Sequence, residues 1–169
     1  MVNKMYFKKY YNSPLGKIIL ASNGDALTGL WFDGQKYSPE NPPDNICTEV
    51  PVFRQTEKWL DIYFGGVCPD FMPPLYFSDT KFRESVWNIL FSIPYGKTLS
   101  YKEIAEKLGY KRMSAQAVGG AVGHNPISII IPCHRVVGSD GKLTGYAGGL
   151  DKKMYLLKLE GADMKELYL

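Results

Sequence analysis

Pro132-Cys133-His134-Arg135 places a thiol directly before an imidazole and a guanidinium. A cysteine attacks only as its thiolate, so a reactive one needs a base or a positive environment; His134, Arg135 or a nearby helix N-terminus could supply it. Proline fixes the chain immediately upstream. If the segment is extended, adjacent side chains point to opposite faces, and His134 reaches Cys133 only around a bend or through a water. Two other uses of the thiol stay open on these residues alone: a small buried core side chain, or half of a Cys/His metal pair. Metal ligation has little to build on, because His124 is the only other histidine and there is no Cys-x-x-Cys pair. No metal and no cofactor are expected.

Residues 79–169 must position that thiol, and they read as mostly helical. Phe82, Val86, Ile89 and Leu90 mark one face of a helix that begins near Asp79-Thr80 and ends before Pro94. Ser100-Tyr101-Lys102-Glu103 is a capping box, with Ile104, Ala105 and Leu108 continuing the apolar stripe to Gly109. A basic turn, residues 110–113, leads to Ser114, a second N-cap candidate, and then to a short helix of small residues over 115–123. Two short helices joined by a tight turn outline a helix-turn-helix; an ordinary helical hairpin in a core has the same outline. Residues 127–131 are an apolar run suited to a buried strand or extended segment. Ser139-Asp140-Gly141-Lys142 signals a tight turn, residues 145–149 a flexible loop, and residues 150–160 a last helix burying Leu150, Met154 and Leu157.

The first third reads as β. Residues 5–11, 15–22 and 26–32 are aromatic and branched runs separated by Asn12-Ser13-Pro14-Leu15-Gly16 and Asn23-Gly24-Asp25, which suits an antiparallel meander. A loop over 39–45 and a helix over about 52–64 follow. Residues 68–78 contain Pro69, Pro73 and Pro74 and form the expected boundary between domains 1–78 and 79–169. The fold class is therefore α/β: a small N-terminal antiparallel sheet plus helix, then a mainly helical domain with a winged-helix-like helix-turn-helix.

The 169 residues are 45% hydrophobic and 22% charged, the balance of an ordinary globular chain. No apolar run approaches the ~20 residues that span a bilayer, and the N-terminus lacks an apolar signal core, so no membrane association is expected. Cys47, Cys68 and Cys133 cannot all pair, which suits a reducing cytoplasm. The net charge of +3 names no partner, but residues 79–169 carry 13 basic against 9 acidic side chains. That patch fits phosphate contact or a solvated lysine face equally well.

The longer pattern is more specific. Ala117-Val118-Gly119-Gly120-Ala121-Val122-Gly123-His124-Asn125-Pro126, then Ile131-Pro132-Cys133-His134-Arg135-Val136-Val137, Gly145-Tyr146-Ala147-Gly148-Gly149-Leu150 and Glu160-Gly161 resemble the O6-alkylguanine-DNA alkyltransferases, densely over residues 79–161. The resemblance implies a monomeric, single-turnover repair protein that binds double-stranded DNA, flips an alkylated guanine out of the stack and takes the alkyl group on to its own cysteine. O4-alkylthymine is a further possible substrate. The resemblance implies Cys133 as acceptor, His134 as base through a water, and Glu160 orienting the imidazole. Tyr101 would assist flipping and protonate the departing guanine, and Asn125 would brace the cysteine segment. Val122, Val136, Tyr146 and Ala147 would line the base pocket, with the carbonyls of Cys133 and Val136 reading the guanine amine. Ser100, Tyr101, Ser114, Ala115, Gln116, Ala117, Gly119 and Arg135 would meet DNA.

The chemistry agrees with these roles. A soft thiolate attacks an sp³ carbon in line, and guanine leaves well once its charge is neutralised by a proton donor. Extruding the base costs a few kcal/mol, which close packing of a helix in the groove must offset. Small side chains at Ala115, Ala117, Gly119 and Ala121 permit that approach, and helix-on-helix packing needs them too. Gly138 and Ser128 suggest a pocket roomier than methyl requires. Two departures from the family pattern are visible: Gln116 stands where many members have an arginine, and residues 1–78 contain no histidine for the zinc site of some relatives. Three rivals compete. A lesion-marking relative without the cysteine is opposed by Cys133 itself. A cysteine hydrolase needs an oxyanion hole that the sequence does not show. A winged-helix transcription factor leaves Cys133, His134 and Glu160 without a task.

Overall fold

The computed structural model describes residues 7–38, 50–109 and 115–169. The chain divides into two compact units, Met1–Phe77 and Ser78–Leu169.

In the first unit, β1 (Phe7–Ser13), β2 (Gly16–Ser22) and β3 (Leu27–Phe32) form an antiparallel sheet in that order. Ser13 pairs with Gly16, whose φ of 99° only glycine adopts easily, and the Ser13 hydroxyl accepts the Leu15 N–H at 3.0 Å. Asn23 closes the next turn, its Oδ1 accepting the N–H groups of Asp25 and Ala26. Ile18, Leu20, Leu30 and Phe32 alternate with Ile19, Ala21 and Trp31, and both sets are buried. A helix, α1 (Pro51–Phe64), packs on the sheet, with Pro51 in its first turn and Val52, Phe53, Thr56, Trp59, Leu60 and Tyr63 buried at helical spacing. The proline-rich stretch after it is not only a spacer: Leu27 N–H donates to Pro74 O and Tyr76 N–H to Leu27 O, so Leu75 extends the β3 edge. Met5 and Tyr6 of the first expected strand, and the 39–45 loop, lie outside the described residues.

The second unit begins with α2 (Lys81–Phe91), capped by Thr80, whose hydroxyl accepts Arg83 N–H at 3.2 Å. After β4 (Leu99–Ser100) comes α3 (Tyr101–Lys107), started by the full capping box. Ser100 Oγ accepts Glu103 N–H at 3.1 Å, and Glu103 Oε2 accepts Ser100 N–H at 2.7 Å. The turn over 110–113, and Ser114 with it, lie outside the described residues. The small-residue helix α4 (Ala115–Gly123) packs against α2 and α3, and the Trp87 indole N–H donates to Ala121 O at 2.8 Å. β5 (Val136–Val137) pairs in parallel with β4. The last helix, α5 (Leu150–Leu159), follows Gly149, whose φ is 101°.

Residues 127–131 form a turn rather than the expected strand or extended segment, and Cys133–Arg135 is a single 3-10 turn. On α5, Leu150 is exposed, and the buried side is Lys153, Leu156 and Leu157.

Candidate active site

Asn125 builds the turn that delivers Cys133. Its Oδ1 accepts Ile127 N–H at 3.0 Å, and its Nδ2 donates to Ile131 O at 2.7 Å. Between them Ile129 is held at φ 70°, a conformation that a β-branched side chain adopts only under strain, at about 1–3 kcal/mol. Pro132 at φ −81°, ψ 65° makes an inverse γ-turn closed by Cys133 N–H on Ile131 O at 2.8 Å. The 3-10 turn then separates successive side chains by about 120° instead of 180°. That geometry lets Cys133 and His134 serve one site.

Cys133 is 4% exposed and His134 fully buried. His134 Nε2 lies 2.7 Å from Glu160 Oε1, so with Nε2 donating, Nδ1 is the acceptor of the ring. Glu160 comes from the end of α5 and is ionised. Burial opposes its charge, but hydrogen bonds from His134 and Arg135 outweigh that and hold the carboxyl well below the usual range. Burial pushes His134 below its ordinary value despite Glu160, leaving a neutral imidazole. Burial also pushes the Cys133 thiol up, against a hydrogen bond with Asn125 and the charge of Lys153.

The first residue of α3, Tyr101, donates its hydroxyl to Thr144 O at 2.9 Å and keeps its proton because burial raises its pKa. Tyr146 is half-buried; burial first, then the charges of Cys133 and Glu160, raise its pKa well above the ordinary value. Among the described residues no three His, Cys, Asp or Glu side chains gather as a metal site requires, and no helix is long and apolar enough to cross a membrane.

Residues 81–162 match the family described as 6-O-methylguanine DNA methyltransferase, DNA binding domain, and residues 6–76 match its ribonuclease-like domain. A methylated-DNA–protein-cysteine methyltransferase of Methanosarcina acetivorans is 46% identical, over 94% of this chain and 99% of its own length. That of Mycobacterium leprae is 45% identical over 88% of both. The chain belongs to the methylated-DNA–protein-cysteine methyltransferase family. The crystal structure of the Mycobacterium tuberculosis O6-methylguanine methyltransferase superposes with a TM-score of 0.82 at 43% identity, covering 92% of this chain and 93% of that one. A Mycobacterium tuberculosis OGT solved in complex with DNA superposes at 0.78, with 43% identity and coverage of 92% and 91%.

The remaining residues that the family resemblance singles out fall in three places. Ala115, Gln116 and Ala117 are exposed at the start of α4, and Gly119 faces Tyr101, whose ring lies 3.8 Å from where a Cβ would stand. Val122 and Val136 are buried, and Ala147 is half-buried in the turn before α5. Ser100 is buried with its hydroxyl engaged in the cap, and the Cys133 carbonyl already accepts Val136 N–H. Arg135, expected against DNA, turns its guanidinium inward on to Glu160 and Ile93 O. At Gly138 a Cβ would meet Asp140 Oδ1 and Lys142 O on the neighbouring turn.

Lys153 was not singled out from the sequence. It is fully buried, its Nζ donating to Thr144 O at 3.1 Å and Gly145 O at 3.3 Å and lying 6.0 Å from the Tyr101 ring centre. Burial lowers its pKa to about 8, against the opposing charge of Cys133. The signal was present: Lys153 stands three and four residues before Leu156 and Leu157, on the side of the helix that those leucines bury.

Proposed function

We propose that this chain repairs duplex DNA by moving the alkyl group of O6-alkylguanine irreversibly on to Cys133 Sγ, once per molecule and without a cofactor. The Cys133 thiol passes its proton through a water to His134 Nδ1, and Glu160 stabilises the imidazolium that results. The sulfur attacks the alkyl carbon, the S–C bond forms as the C–O bond breaks, and the departing guanine takes the electron pair. Tyr101 supplies the proton that neutralises it. Asn125 braces the cysteine turn, while Val122, Val136, Tyr146 and Ala147 line the base pocket. Gln116 with Ala115, Ala117, Gly119, Ser100 and Ser114 makes the DNA face; Gln116 fills the space left by the flipped base without bringing a charge. Residues 79–169 carry binding and transfer, residues 1–78 support them, and the working unit is a cytoplasmic monomer. O4-alkylthymine is a second candidate substrate.

The observation that carries this reading is a buried cysteine beside a neutral imidazole hydrogen-bonded at 2.7 Å to an ionised glutamate. Cys133→Ala tests it. Transfer from O6-methylguanine duplex falls below detection, while affinity for the same duplex changes less than about twofold, as a gel-shift titration would read. Dealkylation by the variant would contradict the mechanism. The same variant separates repair from lesion-marking, because a marker protein has no transfer to lose.

A further inference from the structure

The Arg135 side chain is 11% exposed, and its guanidinium donates into the protein. Nη2 donates to Glu160 Oε1 at 2.8 Å, Nε to Oε2 at 2.9 Å, and Nη1 to Ile93 O at 2.7 Å. With His134 on Oε1 and Gly96 N–H on Oε2 at 3.2 Å, the Glu160 carboxylate has four donors, about its full capacity. The Arg135 fork is thus bidentate and locked at its third corner to the chain that follows α2. We infer that Arg135 is a positioning residue of the transfer reaction, fixing the carboxylate on which His134 is held and cancelling its charge inside the relay.

The inference rests on the reading of Cys133 and His134 given above and adds the reason the relay starts in its working state. A lone buried carboxylate beside an imidazole draws a proton on to the ring, and an imidazolium cannot accept the proton of Cys133. Arg135 opposes that. Among the described residues, Cys133, Tyr146 and Lys153 are the other charged or titratable groups near the pair, and the Tyr95 ring lies 5.7 Å from the Arg135 guanidinium carbon; the Lys153 cation pushes His134 in the same direction as Arg135. Burial is the larger cause of the low His134 pKa, with Arg135 adding to it. A lysine at 135 keeps the charge but has no planar fork to span both oxygens, so charge and geometry can be separated.

The test is the pH dependence of single-turnover transfer from O6-methylguanine duplex for the wild type, Arg135→Gln and Arg135→Lys. In Arg135→Gln the acid limb moves up by about one pH unit and the rate at pH 6 falls about tenfold, recovering at higher pH. Arg135→Lys recovers part of the shift, and duplex affinity stays within about twofold in both. A rate lowered equally at every pH would overturn the inference, as would weakened DNA binding with an unshifted profile. If Arg135→Gln does not fold, Arg135→Lys decides it: an acid limb displaced upward from the wild type supports the inference, and a profile superimposable on the wild type overturns it. Absence of methyl on wild-type Cys133 would instead sink the underlying reading.

Discussion

Lys153 sits buried with its ammonium on the Thr144 and Gly145 carbonyls, and its charge acts on Cys133. A cation there favours the thiolate, so Lys153→Met slows transfer about tenfold at pH 7, measured as a single-turnover rate. The same burial has a stability signature. The folded pKa is about 8 against an ordinary 10.5, so between those values the unfolded chain holds the extra proton and stability rises with pH. Urea unfolding of the wild type gains about 1–3 kcal/mol across that window, and Lys153→Met lacks the gain. At this scale the sequence exposes groups that act on their neighbours along the chain. Cys133 and His134 are adjacent, and their chemistry is legible from type and spacing. The roles of Arg135 and Lys153 are not, because each depends on a fold-dependent partner: Glu160 lies 25 residues from Arg135, and Thr144 sits nine before Lys153. A cation in an otherwise basic stretch looks like a DNA contact until its partner is known.

The turns and caps set where those groups stand. Ser100→Ala removes the acceptor of the α3 cap and costs about 1 kcal/mol, read from the unfolding midpoint. Asn125→Ala leaves the Ile127 N–H of a strained turn without its side-chain acceptor and the Ile131 carbonyl with Cys133 N–H alone. It destabilises by about 1–3 kcal/mol and slows transfer as well, since the turn carries Cys133. A loss of stability with an unchanged rate would show that the turn does not position the thiol. The capping box is legible because it is a contact between residues three apart, fixed by local geometry. The turn at 127–131 is not. Branched residues carry a strand preference, and here it is overridden by the Asn125 bonds upstream and Pro132 downstream. Leu150 likewise fits the apolar spacing of α5, yet stands exposed in its first turn.

Over the whole chain, β1 to β3 and α1 to α5 are legible because turn residues and apolar periodicity mark them independently, whereas the two-residue strands β4 and β5 carry no such mark. Charge is legible only as a sum, and the 13 basic against 9 acidic side chains of residues 79–169 bear on DNA through counterion release. Duplex affinity falls as salt rises from 50 to 200 mM, with a log–log slope steeper than −1; an affinity indifferent to salt would remove phosphate contact from the account. The most direct measurement of the central claim is the intact and peptide mass of the protein after incubation with O6-methylguanine duplex DNA. One added methyl group per chain, located on Cys133, is expected. An unchanged mass with DNA bound, or a methyl group on any other residue, would contradict it.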